Sequence, residues 1–182
     1  MDHSFLDLFL VLGTWALVVA TLWLGWHHAT IFRKQMESLR SDFRSDLKVR
    51  LQLVFTDRFD SDRMKDHRSR LAERLLAADV AHDTVQEDVM NFFEDMALLL
   101  DHGYLDEDLL WNTFGFYAVR WGAACNDYIL EERKRTSDPT VFDGFKDLVE
   151  RFIKRDREEG LPEPTKTDIN AFLQDERNLL PL

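Results

Sequence analysis

From Leu8 to Trp26 the chain reads LFLVLGTWALVVATLWLGW, nineteen residues without a single charge. At a rise of about 1.5 Å per residue, a helix of that length covers roughly 28 Å, close to the ~30 Å hydrocarbon core of a bilayer. Few soluble helices stay uncharged on every face for so long, so the run is expected to be a transmembrane helix rather than a buried core helix. A cleaved signal peptide is the weaker reading. It would need a basic start, a shorter apolar core and a small-residue cleavage site. Here no Lys or Arg precedes the run, and its end carries Trp23, Leu24 and Trp26. Basic residues follow instead, at Arg33, Lys34, Arg40, Arg44, Lys48 and Arg50. The positive-inside bias therefore predicts a single-pass protein of the inner (cytoplasmic) membrane, N-terminus outside and C-terminal domain in the cytoplasm.

With 182 residues, the anchor leaves room for one modest domain. The formal net charge of −11 argues against non-specific nucleic-acid binding, which depends on Lys and Arg neutralising phosphates. A lone cysteine, Cys125, excludes an intrachain disulfide, consistent with a reducing compartment. Scarce Gly and Pro, with little β-branched alternation, point to an all-α fold.

Beyond His27-His28 the apolar residues Phe32, Met36, Leu39, Phe43, Leu47, Leu51 and Val54 recur at spacings of three and four. That is an amphipathic helix continuous with the span. Its seam either forms a coiled-coil stalk between copies or docks on the chain's own bundle. A break is expected near Thr56–Asp62, with Asp60 or Ser61 capping a second helix that carries Met64, Leu71, Leu75 and Leu76. Thr84-Val-Gln-Glu87 has the spacing of a capping box for a third helix, which Gly103 would end. Asp106 caps a long fourth helix to about Lys134, packed against the third as a hairpin. Ser137-Asp138-Pro139 predicts a fifth, closing at Glu159-Gly160. After the linker Leu161-Pro-Glu-Pro164, Thr167 would cap a short last helix with Ile169, Phe172 and Leu173. The expected organisation is thus a transmembrane helix at 5–26, an amphipathic stalk at 27–55, a bundle of about five helices at 56–160, and a linker with a short helix at 161–182.

Candidate sites are few. Arg68 and Arg120 sit among apolar neighbours and Glu94 lies in the most apolar part of its helix. A charge kept there must be paired, so Glu94 is expected to bond Arg68 or Arg120 as an internal brace. Phe32, Met36, Leu39 and Phe43 of the seam, with Trp111 and Phe116 off the main stripe of their helix, are the candidate interaction surface. Gly115 and Gly122, two turns apart, suit close helix approach. No Glu-x-x-His pair, zinc-type spacing, phosphate loop or nucleophile elbow occurs. No catalytic residue, cofactor, metal ligand or small-molecule substrate is indicated, although whether the chain is an enzyme stays open.

Met64, Arg68 and Leu71, Asn91-Phe-Phe-Glu94, Gly103-Tyr-Leu-Asp106, Trp111, Phe114-Gly115 and Trp121 together resemble a bacterial family of small, often membrane-anchored helical proteins known only as a domain of unknown function. The likeness covers Leu51 to Phe152. It implies a helical fold and no activity, cofactor or catalytic residue. The leading expectation is a membrane-tethered interaction or accessory module whose partners are the lipid bilayer and a protein, either another chain or a second copy. An effector or enzyme with a concealed polar site in the bundle is the first alternative. A subunit of an integral membrane complex, packing through Gly13 and either Ala16 or Ala20, is the second.

Overall fold

The computed structural model describes the backbone of residues 3–77 and 84–179, with their side chains except at 3–12, 14, 16, 18–20, 22, 29–30 and 84–86. Seven helices and no strand occur among the described residues: α1 (His3–Asp60), α2 (Asp62–Leu76), α3 (Thr84–Asp101), α4 (Glu107–Ala124), α5 (Asn126–Thr136), α6 (Asp143–Glu158) and α7 (Lys166–Arg177). The chain divides into two compact units, Met1–Asp46 and Leu47–Leu182.

In the first unit α1 is unbroken, as the absence of Pro and the helical spacing dictate. Among the described residues no helix is long and apolar enough to cross a membrane. The expected span falls largely on side chains outside that description, including Ala16 and Ala20. Trp23 and Trp26 are exposed, and Trp23 stacks on His27 with ring centroids 5.4 Å apart.

The second unit begins inside α1, earlier than the expected boundary at residue 56. Phe55 and Phe59, one turn apart, are both buried, and this apolar face carries the helix through the acidic residues Asp57 and Asp60. Ser61 then caps α2, its Oγ accepting from the Met64 N–H at 3.2 Å. The side chain of Thr84 lies outside the description, and with it the expected capping box. Gly103 ends α3 as expected. Its φ of +72° lets the Tyr104 N–H reach back to the Leu99 carbonyl at 2.9 Å. Asp106 caps α4 through the Leu109 N–H.

Three boundaries differ from expectation. The fourth helix is interrupted at Cys125, where α4 hands over to α5. The buried stripe continues across the break through Trp121, Cys125, Tyr128 and Glu132, so the interruption leaves the packing face intact. Ser137-Asp138-Pro139 does not start a helix. Ser137 is left-handed (φ 55°), and the Asp138 carboxylate accepts from both the backbone N–H and the hydroxyl of Thr140. That local turn competes with the helix, which starts only at Asp143. The last helix is capped by Thr165 rather than Thr167. Thr165 and Asp168 form a reciprocal capping box, and these bonds hold the Asp168 carboxyl below the usual aspartate range.

Helix α6 runs along both α3 and α4, whereas α2 lies along α3 and α7. The expected α3–α4 hairpin is therefore opened: the two meet through the rings of Phe92 and Phe114 (5.7 Å), while each has α6 as its close neighbour. Glu94 faces residues 144 and 145 and Asp101 faces Arg151, so α3 and α6 run in the same direction. Pairs Arg155–Asp108 and Arg151–Glu107 bind one end of α4, and Gly122 meets Val149 further along, so α4 runs the opposite way. The last helix belongs to the packed unit, since α7 buries Phe172 and Leu173.

The α4–α6 contact depends on Gly122. A Cβ there would come 2.5 Å from Val149 Cγ2 and 3.0 Å from its Cγ1. Gly122→Ala should destabilise the second unit by about 1–3 kcal/mol through overpacking. In urea titrations Gly122→Ala/Val149→Ala should then unfold at a higher midpoint than Gly122→Ala alone.

Candidate functional site

Arg68 lies on the buried face of α2 with Met64, Leu71 and Ala72, where an unpaired guanidinium would be costly. Its partner is Glu176 of α7, not Glu94. Arg68 Nε donates to Glu176 Oε2 at 2.7 Å and Nη2 reaches Oε1 at 3.4 Å. Nη1 donates to the Phe59 carbonyl at 3.2 Å, and the guanidinium sits 3.9 Å over the Phe59 ring. Both side chains are about 5% exposed, so the pair is fully withdrawn from water. Burial raises the Glu176 carboxyl above its ordinary range, against the opposing pull of Arg68. Buried and bonded to each other, the two side chains fasten α7 to α2.

Glu94 has a different task. From the middle of α3 its Oε1 accepts from the Gly144 N–H (3.2 Å) and its Oε2 from the Phe145 N–H (2.6 Å). Helix α6 has no capping side chain of its own, because Phe142 occupies the N-cap position in a left-handed conformation. A carboxylate from another helix thus satisfies two orphan amides and meets the positive dipole end. Gly144 makes this possible, since a Cβ there would stand 3.0 Å from Glu94 Oε1. Arg120 does not reach either acid as a brace. It donates to the Phe116 carbonyl at 3.2 Å and covers the Phe116 ring at 3.6 Å.

Residue spacing does not report the true pair, because Glu176 lies 108 positions from Arg68, in the short last helix. One signal was available. Glu176 falls on the same face as Phe172 and Leu173, an acid on an apolar stripe that needs a cation as much as Arg68 needs an acid.

Around α4 the aromatic pair separates. Trp111 is half-buried, with its Nε1 donating to Asp156 Oδ1 at 2.8 Å. Gly115 leaves room for the Trp111 ring of its own helix, to which a Cβ would approach within 3.0 Å, rather than for a neighbouring helix. Phe116 is 55% exposed and meets Phe172 edge-on. Trp111, Phe116, Arg120, Asp156 and Pro164 border a half-open hollow of about 370 Å³. On the other side of Pro164 a second one of about 440 Å³ is floored by Gly122, Phe145, Val149 and Ile153. Neither gathers a nucleophile with a base, and among the described residues no group of three His, Cys, Asp or Glu side chains could hold a metal ion. Cys125 is buried, and burial pushes its thiol up to about 12, which removes it as a nucleophile.

In the first unit the other candidate residues stand together. Phe32, Met36, Leu39 and Phe43 are all exposed along α1. They recur at spacings of four, three and four residues, which lines them up on one side of the helix, and this row is the candidate functional site.

Two outcomes test the assignment of the buried polar groups. Arg68→Met or Glu176→Leu alone should each cost about 3–5 kcal/mol by stranding the opposite charge, whereas the double replacement should recover most of that loss in denaturant titrations. A thiol reagent at pH 8 should label Cys125 only at the rate at which the second unit opens, so labelling should accelerate in step with added denaturant.

The model of one protein family matches residues 12–152. That reaches farther towards the N-terminus than the expected Leu51–Phe152, taking in much of the apolar run and the whole seam, and it leaves α7 outside. Neither a curated protein nor a solved structure matches the chain. With well over half of its length matched, the chain belongs to the family described as Domain of unknown function (DUF4760).

Proposed function

We propose that this chain is a membrane-tethered helical module that holds a protein partner at the cytoplasmic face of a membrane. The observation that carries this reading is the exposed row Phe32, Met36, Leu39 and Phe43, borne on the same helix as the uncharged run from Leu8 to Trp26. Large apolar side chains left in water along one stripe are a cost unless something covers them. A run of nineteen uncharged residues is long enough to enter a bilayer, and the basic residues after it favour the cytoplasmic side. The family match beginning at residue 12 supports treating the run as part of the functional unit.

The mechanism is concentration rather than catalysis. Confining the seam to a thin layer at the membrane makes its encounter with a co-anchored partner effectively intramolecular, which raises occupancy without adding a contact. The bundle supplies a stable, strongly acidic body, and the overall charge of −11 disfavours its lying on anionic lipid.

The full chain expressed in bacteria should sediment with membranes and resist carbonate extraction. A C-terminal tag should be shielded from protease in intact spheroplasts. Leu17→Arg, which places a charge near the middle of the run at a cost of about 2.5–3.5 kcal/mol, should move a substantial fraction into the extractable pool. Complete extraction of the unaltered chain by carbonate would overturn the tether.

A further inference from the structure

The seam on α1 has more detail than an exposed apolar stripe needs. At about 100° per residue, Phe32, Met36, Leu39 and Phe43 fall within a sector only about 60° wide. A face that packs on a globular core, or that sinks into a lipid surface, is normally broader than about 100°, whereas a narrow row suits a two-stranded seam. All four side chains are between 45% and 69% exposed.

The two flanks of this row carry opposite charge. Arg33, Arg40 and Arg44 lie on one side, about 70–110° from its centre, with Glu37 behind them at about 130°, and uncharged Gln35 with Asp42 and Asp46 lie on the other, so the first flank is net positive and the second net negative. A helix lying on anionic lipid would want cations on both flanks, so Asp42 and Asp46 argue against that occupant. Handedness then decides between the ways two identical helices can meet. In a parallel pair, one flank of each helix faces the opposite flank of its partner; in an antiparallel pair, like flanks face each other. Parallel pairing sets the arginine flank of each copy against the aspartate flank of the other. Antiparallel pairing sets arginine against arginine. Two copies anchored in one membrane by the preceding run are also held parallel.

We infer that the partner of this seam is a second copy of the same chain, paired in parallel through Phe32, Met36, Leu39 and Phe43 with Arg40 of each copy beside Asp42 of the other. The inference rests on the tethered reading for its geometry and on the charge pattern for its choice of partner. The seam residues face solvent in the single chain, so replacing them leaves the second unit folded and its unfolding curve unchanged.

The test uses the full chain in nanodiscs of mixed neutral and anionic lipid, with native Cys125 retained because it is buried. Phe32→Cys and Phe43→Cys, prepared separately, should each give a disulfide-linked dimer under mild oxidation, and the unaltered chain should give none. A mixture that links only Phe32→Cys to Phe43→Cys would show antiparallel pairing and overturn the inference, as would no linking at all. In the Phe32→Cys background, Arg40→Glu and Asp42→Arg should each lower the linking rate several-fold, and the two together should restore it. Unchanged rates in the single variants would remove the ground for choosing a second copy. The two readings fail separately. Dimers that carbonate extracts from native membranes would sink the tether and leave the pairing, whereas a carbonate-resistant chain that never self-links would sink the pairing and leave the tether.

Discussion

Phe59 is the point on which the second unit closes. Its ring meets Phe92, Phe93, Phe114 and Tyr117 at centroid distances of 4.8–6.3 Å, which brings α1, α3 and α4 to one cluster. Its face takes the Arg68 guanidinium and its carbonyl accepts from the same group, so α2 is fastened to the end of α1 by one side chain. Through Glu176 that guanidinium also fixes α7. A single aromatic residue and the cation above it thus join five helices. The arrangement holds because each component removes the other's liability. The ring shields the charge from water, and the paired acid keeps the buried cation from standing alone.

Helix α6 occupies the matching position on the opposite side. It begins without a cap of its own and takes one from Glu94, which ties its start to the middle of α3. Farther along, Arg151 bridges Asp101 and Glu107 while Arg155 reaches Asp108, so its basic face meets acids at the end of α3 and the start of α4. These exposed pairs add little stability individually. Their contribution is register, since they act alongside the close approach at Gly122, where backbone and Val149 leave no room for a side chain. Buried contacts supply the energy, and the charged rim selects one alignment among several that an apolar stripe would permit.

Much of this was readable from residue spacing. The helical class, the cap at Asp106, the stop at Gly103 and the core stripe through Phe92, Phe93 and Met96 follow from short-range chemistry that spacing reports. What was not readable is what depends on residues far apart. Their apolar surroundings mark Glu94 and Arg68 as charges in need of partners, yet the partners are the amides of residues 144–145 and the carboxylate of Glu176. Neither lies within reach of local pattern. The start of α6 depends on distance in the same way: Asp138 spends its carboxylate on Thr140, and the helix begins at Asp143, capped from α3. A single sequence shows that a buried charge must be answered, but not which of many opposite charges the fold brings to it.

Helix α1 carries apolar residues in three different patterns along one uninterrupted backbone. The first stretch has no charge, the second leaves Phe32, Met36, Leu39 and Phe43 exposed in one row, and the last turns Phe55 and Phe59 into the core. Phe55 and Phe59 are accounted for by their contacts within the second unit. The middle stretch is the informative one, because nothing in helix propensity requires Phe32 and Phe43 on an exposed face; Lys or Glu would form the helix equally well and dissolve better. Basic residues all round would have marked a lipid-facing stripe, and charges of both signs mixed at random would have marked a solvated surface. A net positive flank on one side and the aspartates on the other make the two sides of the row unlike, which is the pattern a parallel second copy would complement.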